Sequence, residues 1–120
     1  MIDIYELIEK IKKRPSMYLG KPSISNLRAF LAGYNFSRRA MNIPETEQEI
    51  KFGNFQEWIQ NKFNITSSQS WDKIIIFYSE DEKDALNQFF DLFEEFRKNL
   101  VNQQESSDSE DNVSPVSKLA

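Results

Sequence analysis

The strongest constraint on the fold comes from segment 80–101, where apolar side chains recur at helical spacing over four turns. The side chains that share this face are Ala85, Phe89, Leu92, Phe93, Phe96 and Leu100. Spacings of three and four residues place side chains on one face of a helix, whereas a strand alternates every two residues. Ser79 and Glu82 have the spacing of a capping box at its start. Because so long an apolar face must be covered, the rest of the chain has to supply elements that pack against it.

Three further segments show the same helical spacing, and they are 3–13, 24–41 and 55–63. The residues predicted to cap their N-termini are Asp3 with Glu6, Ser23, and Asn54 with Glu57. Side chains of these types accept hydrogen bonds from the free N–H groups of a first turn. We therefore predict three amphipathic helices ahead of the last one.

Two connecting segments lack this spacing. Residues 15–22 lie between two prolines and are predicted to form a loop, with Met17, Tyr18 and Leu19 tucked under the helices. Residues 45–53 alternate glutamates with polar residues, so they are predicted to form a loop or a short helical turn.

The segment 70–79 is ambiguous, because a run rich in isoleucine and aromatic residues is typical of a buried strand. A strand has to pair, however, and no other segment is a convincing partner. An unpaired buried strand would leave its backbone N–H and C=O groups unsatisfied. We therefore favour a short helix capped by Ser70, with Trp71, Ile74, Ile75 and Tyr78 on its buried side.

These elements predict an all-α fold, a compact bundle of about five helices formed by residues 1–101. Residues 102–120 are polar, rich in Ser, Asp and Glu, and predicted to form a disordered tail. No apolar stretch approaches the roughly 20 residues that a membrane span needs. The N-terminal segment is amphipathic with mixed charges and does not have the character of a signal peptide. We therefore expect a cytoplasmic protein without membrane contact.

The chain of 120 residues contains no cysteine and no histidine. This composition excludes thiol catalysis, Cys/His zinc sites and histidine acid–base chemistry. The carboxylates at 80–84 follow one another on one helix start, whereas acid–base or metal chemistry requires groups that converge from different elements. We therefore expect no catalytic residue, metal or cofactor, and no small-molecule ligand.

Charge is distributed unevenly along the chain. Residues 1–40 carry eight Lys/Arg against three Asp/Glu, a net charge of +5, and residues 41–120 carry seven against sixteen, a net charge of −9. Such a dipolar chain is suited to electrostatic steering towards a charged partner, although two solvated faces of different charge would look the same.

The basic half offers one candidate surface, which would bind nucleic acid. Its cations are Lys10, Lys12, Lys13, Arg14, Lys21, Arg28, Arg38 and Arg39. Lysines and arginines of this kind can contact phosphates. An overall pI of about 4.9 opposes that function, and the linker 15–22 is long for a helix-turn-helix. Nucleic-acid binding is therefore the alternative rather than the leading hypothesis.

Short motifs in residues 1–100 resemble a family of small bacterial proteins. These motifs are RPSMYLG, SISNLRAFLAGY, FQEWIQNKFNI and SQSWDKIIIFYSEDEKDALNQFFDLFEEF. The chain is similar to immunity proteins encoded beside polymorphic toxins of the contact-dependent growth inhibition and Rhs types. The resemblance implies a cytoplasmic protein that binds a cognate toxin C-terminal domain one-to-one and neutralises it. The family carries no catalytic residues to transfer.

Many such toxins are nucleases with basic substrate grooves, so an acidic surface would suit this partner. The predicted partner-binding residues are Glu45, Glu47, Glu49, Glu80, Asp81, Glu82 and Asp84. Those at 80–84 can equally be explained as helix caps. Trp58, Trp71 and Tyr78 are residue types common in binding hot spots, but their spacing predicts that they belong to the core.

Overall fold

We describe a computed structural model in which the backbone is defined for residues 2–113 and the side chains for residues 2–102. The helices in this part of the chain are α1 Ile4–Lys13, α2 Pro15–Leu19, α3 Ile24–Ala40, α4 Glu47–Phe52, α5 Phe55–Lys62, α6 Trp71–Phe77 and α7 Glu82–Val113. No strand occurs between residues 2 and 113, so the prediction of an all-α fold is confirmed. The two helices beyond the predicted five are the short ones, α2 and α4.

Helix α7 forms the centre of the core, as its apolar spacing predicts. Its buried side chains are Ala85, Leu86, Phe89, Phe90, Leu92, Phe93 and Phe96. Helices α3, α5 and α6 pack directly against it, and Tyr5 of α1 meets Phe93 edge-on with ring centroids 5.3 Å apart. Leu100 is only partly buried, so the covered face ends one turn earlier than predicted.

Phe55, the first residue of α5, fixes three helices to one another. Its side chain is fully buried, and its neighbours are the rings of Phe52, Trp58, Trp71, Phe89 and Phe96, with centroids 5.3–6.0 Å away. Most of these contacts are edge-to-face, the geometry that the charge distribution of aromatic rings favours. Phe55 therefore joins α5 to both α6 and α7.

Asp3 and Ser23 cap α1 and α3 as predicted, but the predicted capping box of Asp3 with Glu6 does not form. The Asp3 carboxylate accepts a hydrogen bond from the Ile4 N–H at 2.7 Å, and the Ser23 hydroxyl accepts one from the Asn26 N–H at 3.0 Å. Asp3 also accepts a hydrogen bond from the Thr46 hydroxyl at 2.7 Å, which connects the start of α1 to the start of α4.

The predicted loop at 15–22 is wrong over its first half, where the chain forms helix α2. Pro15 occupies the first helical position, where a missing N–H has no cost because that N–H would have no helical partner. Gly20 ends the helix with a φ of 75°, a conformation that residues with a Cβ rarely adopt. Only Leu19 is buried under the bundle, whereas Met17 is exposed and Tyr18 half-buried.

Helix α6 confirms that 70–79 is helical rather than extended. Ser70 occupies the N-cap position of α6 as predicted, but its side chain makes no capping hydrogen bond to the helix. Gln56 of α5 instead accepts a hydrogen bond from the Trp71 N–H at 2.7 Å and donates one to the Gln69 carbonyl at 2.8 Å. A side chain from a neighbouring helix thus holds the start of α6.

Two other predicted capping boxes are wrong. Asn54 makes no side-chain hydrogen bond to α5, and the Ser79 hydroxyl donates to the Ile75 carbonyl of α6 at 2.7 Å rather than capping α7. The complete capping box in the described helices belongs to α4, where Thr46 and Glu49 each accept a hydrogen bond from the other's backbone N–H. Thr46 and Glu49 have the Thr-x-x-Glu spacing that identifies such a box.

Helix α7 continues to Val113, so residues 102–113 of the segment predicted to be a disordered tail have a helical backbone. Residues 114–120 lie outside the described residues, and for them the disordered tail stays a prediction. Within the described residues, none of the helices combines the length and the apolar character needed to cross a membrane.

The central position of Phe55 leads to a stability prediction. We expect Phe55→Ala to lower the free energy of unfolding by about 3–5 kcal/mol, the usual range for a fully buried phenylalanine. Phe36→Ala is the matched control, because the Phe36 side chain is 73% exposed, and we expect a change within about 0.5 kcal/mol. Urea unfolding followed by circular dichroism measures both. Equal losses in the two variants would contradict the central role of Phe55.

Candidate functional site

The predicted acidic residues form two separate groups rather than one anionic face. Glu82 contacts Ser25 near the start of α3, and Glu49 contacts Arg38 near its end. Ser25 and Arg38 are 13 positions apart, and a rise of 1.5 Å per residue separates them by about 20 Å. The groups at 45–49 and 80–84 therefore lie at opposite ends of α3.

Glu49 lies inside the protein, in an ion pair with Arg38. The Arg38 Nη2 and Glu49 Oε1 atoms are 2.6 Å apart, and the two side chains are only 7% and 8% exposed. The hydrogen bond to Glu49 raises the pKa of the Arg38 guanidinium above its ordinary value. Arg38 also donates to the Pro44 carbonyl at 3.3 Å and lies over the Tyr34 ring. This pair fixes α4 to α3, so Glu49 is not available to a partner.

The rest of the 45–49 group is exposed but locally neutralised. Glu47 forms an ion pair with Lys51 one turn later on α4, at 3.0 Å. Glu45 is exposed and shares a surface hollow with Arg38 and Arg39. Because cations accompany these carboxylates, this end of α3 is a weaker anionic surface than the sequence indicates.

Glu82 caps a different helix from the one that it begins. Its carboxylate accepts hydrogen bonds from the Ser25 backbone N–H at 3.0 Å and from the Ser25 hydroxyl at 2.6 Å. These bonds, chiefly the one from the hydroxyl, lower the pKa of Glu82. A carboxylate at the N-terminus of α3 also interacts favourably with the dipole of that helix. Glu82 therefore has a structural role.

Two of the remaining carboxylates shape the start of α7. Asp81 accepts a hydrogen bond from the Asp84 N–H at 2.8 Å, while Asp84 accepts from the Glu80 N–H at 2.9 Å and from Gln88 at 3.0 Å. Helix capping thus accounts for the hydrogen bond of Asp81 and for the one that Asp84 accepts from Glu80, whereas Gln88 binds Asp84 as a side chain one turn later on α7. Glu80 and Asp81 are nevertheless exposed at the surface.

An exposed aromatic group lies directly before these carboxylates, and sequence reasoning missed it. Phe77 is 76% exposed and Tyr78 is 48% exposed. The Tyr78 ring stacks on Phe63 with centroids 4.8 Å apart and meets Phe77 edge-on at 5.0 Å. The prediction that Tyr78 belongs to the core is wrong, whereas Trp71 is buried and Trp58 partly buried as predicted. Phe77 lies outside the stripe of α6 that was predicted to be buried, and this spacing could have indicated that it is exposed.

The eight cations of the basic N-terminal half do not form one surface either. Arg38 is buried, and Arg28 forms an ion pair with Asp72 at 3.5 Å and lies over the Trp71 ring. The cations that stay together at the surface line a hollow between α1 and α2, formed by Lys10, Lys13, Arg14, Met17 and Tyr18. Lys12, Lys21 and Arg39 are exposed separately.

Within the described residues, no group of carboxylates is arranged to hold a metal ion. No family model matches the chain, and no curated protein or solved structure matches it either. The similarity to immunity proteins therefore remains a prediction from short motifs, and the surface has to be interpreted on its own.

The role of Glu82 predicts a pH-dependent loss of stability. We expect Glu82→Gln to lower the free energy of unfolding at pH 7 by about 1 kcal/mol, the usual effect of losing a helix cap. Because the folded-state pKa of Glu82 lies below its ordinary value of 4.5, this stabilisation is present above that value and is lost as the pH falls through the lowered pKa.

Thermal unfolding between pH 3 and pH 7 tests this prediction. The difference between the wild type and Glu82→Gln should shrink as the pH falls, since the wild-type carboxyl group is then neutral too. Glu80→Gln is the control at the same helix start, because its carboxylate makes no hydrogen bond among the described residues. A Glu80→Gln variant that loses as much stability would contradict the assignment.

Because the ion pair of Arg38 with Glu49 is buried, we predict that removing one of its charges destabilises the protein more than removing both. Glu49→Gln leaves the Arg38 charge buried without a carboxylate, and we expect its Tm to fall by roughly 10 °C. The double variant Arg38→Met, Glu49→Leu removes both charges and should recover most of that loss. Differential scanning calorimetry measures both. If the double variant is less stable than Glu49→Gln, the ion pair contributes more to stability than an apolar contact would, and the prediction is wrong.

Proposed function

We propose that this protein is an immunity protein that binds the C-terminal domain of a cognate toxin in the cytoplasm, one-to-one, and thereby neutralises it. Inhibition would come from covering an active site or substrate groove rather than from a reaction. The observation that carries the proposal is the aromatic group at the end of α6, in which the exposed rings of Phe77 and Tyr78 lie against the half-buried ring of Phe63.

Contact between these aromatic rings and water is unfavourable in free energy. Exposed apolar side chains that lie next to one another often mark a protein-binding surface, and tyrosine is among the residue types enriched in the hot spots of interfaces. The group is also held in place before binding. The Ser79 hydroxyl donates to the Ile75 carbonyl at 2.7 Å, and Gln88 donates to the Tyr78 carbonyl at 3.4 Å. Such preorganisation reduces the entropy lost on association.

Nucleic-acid binding remains the second candidate, because of the basic hollow between α1 and α2. Lys10, Lys13 and Arg14 surround the half-buried Tyr18 and the exposed Met17. Cations beside an aromatic ring are suited to phosphate contact and base stacking. The net charge of −4 and the acidic stretch from 80 to 95 oppose close approach of a polyanion.

Coexpression separates these two functions. We expect the tagged protein to purify in a one-to-one complex with the C-terminal domain encoded by the adjacent upstream gene, and to protect cells that express this domain. A neighbouring gene that encodes no toxin, or a toxin domain that neither binds nor is neutralised, would overturn the proposal.

A gel-shift assay with single-stranded and double-stranded DNA and RNA at low salt provides the second arm. The immunity function predicts no shift with the free protein. The alternative predicts a shift that Lys13→Glu with Arg14→Glu abolishes, since both cations line the basic hollow.

A further inference from the structure

One stripe of α7, at the edge of its buried face, is acidic. Asp84, Gln88, Asp91 and Glu95 are spaced i, i+4, i+7 and i+11, so they lie within one narrow sector of the helix. Two contacts show what this stripe faces. Gln88 donates to the Tyr78 carbonyl, and Glu95 forms an ion pair with Lys62 at 2.8 Å, next to Phe63. The stripe therefore runs beside the exposed aromatic group.

The charge of this region is strongly one-sided. Residues 80–95 contain seven carboxylates and one lysine, a net charge of −6. Among the described residues, Glu80, Asp84 and Asp91 form no ion pair. Lys62, the cation that faces the stripe, is already paired with Glu95 and lies over the Trp58 ring.

The other nearby cations lie towards the start of α3. Lys83 lines a hollow with Glu82 and Lys21. Lys73, whose charge acts on Glu82, is exposed one turn before Phe77 on α6, so it borders the aromatic group on the side away from α7. The aromatic group therefore has an uncompensated acidic border along α7. The opposite end of α3 differs, because Glu49 is buried against Arg38 and Glu47 is paired with Lys51.

We propose that the aromatic–acidic face, formed by Phe63, Phe77, Tyr78, Glu80, Asp84 and Asp91, is the surface that binds the toxin. The occupant that fits is a cationic protein cleft, with an apolar centre that receives Phe77 and Tyr78 and a rim of lysines or arginines opposite the carboxylates. This inference rests on the proposed function and assigns its contact surface to one end of the bundle.

The two parts of the face act on different steps of binding. Exposed carboxylates attract a cationic partner over a distance, so they raise the association rate in a salt-dependent way. Aromatic rings buried at the centre of an interface oppose dissociation. Loss of a border charge should therefore slow association, and loss of an aromatic ring should speed dissociation.

A first experiment tests the face without the toxin. ¹⁵N-labelled protein is titrated at low salt with a synthetic amphipathic peptide of lysine and leucine, and with a matched peptide of glutamate and leucine. We expect backbone shifts at 63, 77–84, 88 and 91 with the lysine peptide only. Shifts centred on 45–50, equal shifts with both peptides, or no shift at all would overturn the assignment.

A second experiment uses the toxin domain encoded by the adjacent gene, with binding kinetics measured by surface plasmon resonance. We expect Phe77→Ala and Tyr78→Ala each to raise Kd at least tenfold through faster dissociation, and Asp91→Lys to slow association severalfold at low salt. Glu47→Lys, at the other end of α3, is the control and should leave both rates nearly unchanged.

The results distinguish the two proposals. If the toxin binds but Glu47→Lys is the variant that weakens it, the immunity function stands and the assigned face is wrong. If the lysine peptide binds at the aromatic–acidic face but the toxin does not bind, the immunity function fails and the chemistry of the face stands. Circular dichroism of each variant identifies any loss of affinity caused by unfolding.

Discussion

The fold depends on aromatic packing between α7 and the first residue of α5. Phe55 lies against both Phe89 and Phe96 of α7, with ring centroids 5.5 Å and 5.3 Å away. Edge-to-face contacts restrict the orientation of the rings, so they fix the angle between helices as well as burying apolar area. Once α5 is placed, Gln56 positions the start of α6, and the end of α6 brings Phe77 and Tyr78 to the surface. The exposed aromatic group is thus a consequence of the core.

Electrostatic contacts complete this framework at the two ends of α3. The Glu82 carboxylate caps the start of that helix, and the buried pair of Glu49 with Arg38 attaches α4 to its end. Carboxylates that appear equivalent in the sequence therefore have different roles. Glu49 and Glu82 are held by contacts with α3, whereas Glu80 and Asp91 are exposed and can act on a partner. The acidic border along α7 therefore carries more uncompensated negative charge than the group at 45–49, at the other end of α3.

The helices with long apolar faces could be predicted from the sequence, since spacing alone determines which side of α1, α3, α5 and α7 is buried. The requirement for backbone pairing correctly favoured a helix for α6. The short helix α2 could not be recognised, because a proline at its first position looks like a break. The acidic site was only partly predicted, as Glu82 meets a serine 57 positions away, and no local pattern encodes that contact. The exposure of Tyr78 likewise depends on where α6 ends against α5.

The central claim is that the protein acts through the aromatic–acidic face. Hydrogen–deuterium exchange of the one-to-one complex with the toxin domain tests it most directly, because it reports the contact surface without any substitution. The claim predicts that toxin binding slows exchange in peptides covering residues 60–64 and 76–92, with little change in residues 42–54. Slower exchange confined to residues 42–54, or to the basic hollow around residues 10–18, would contradict it.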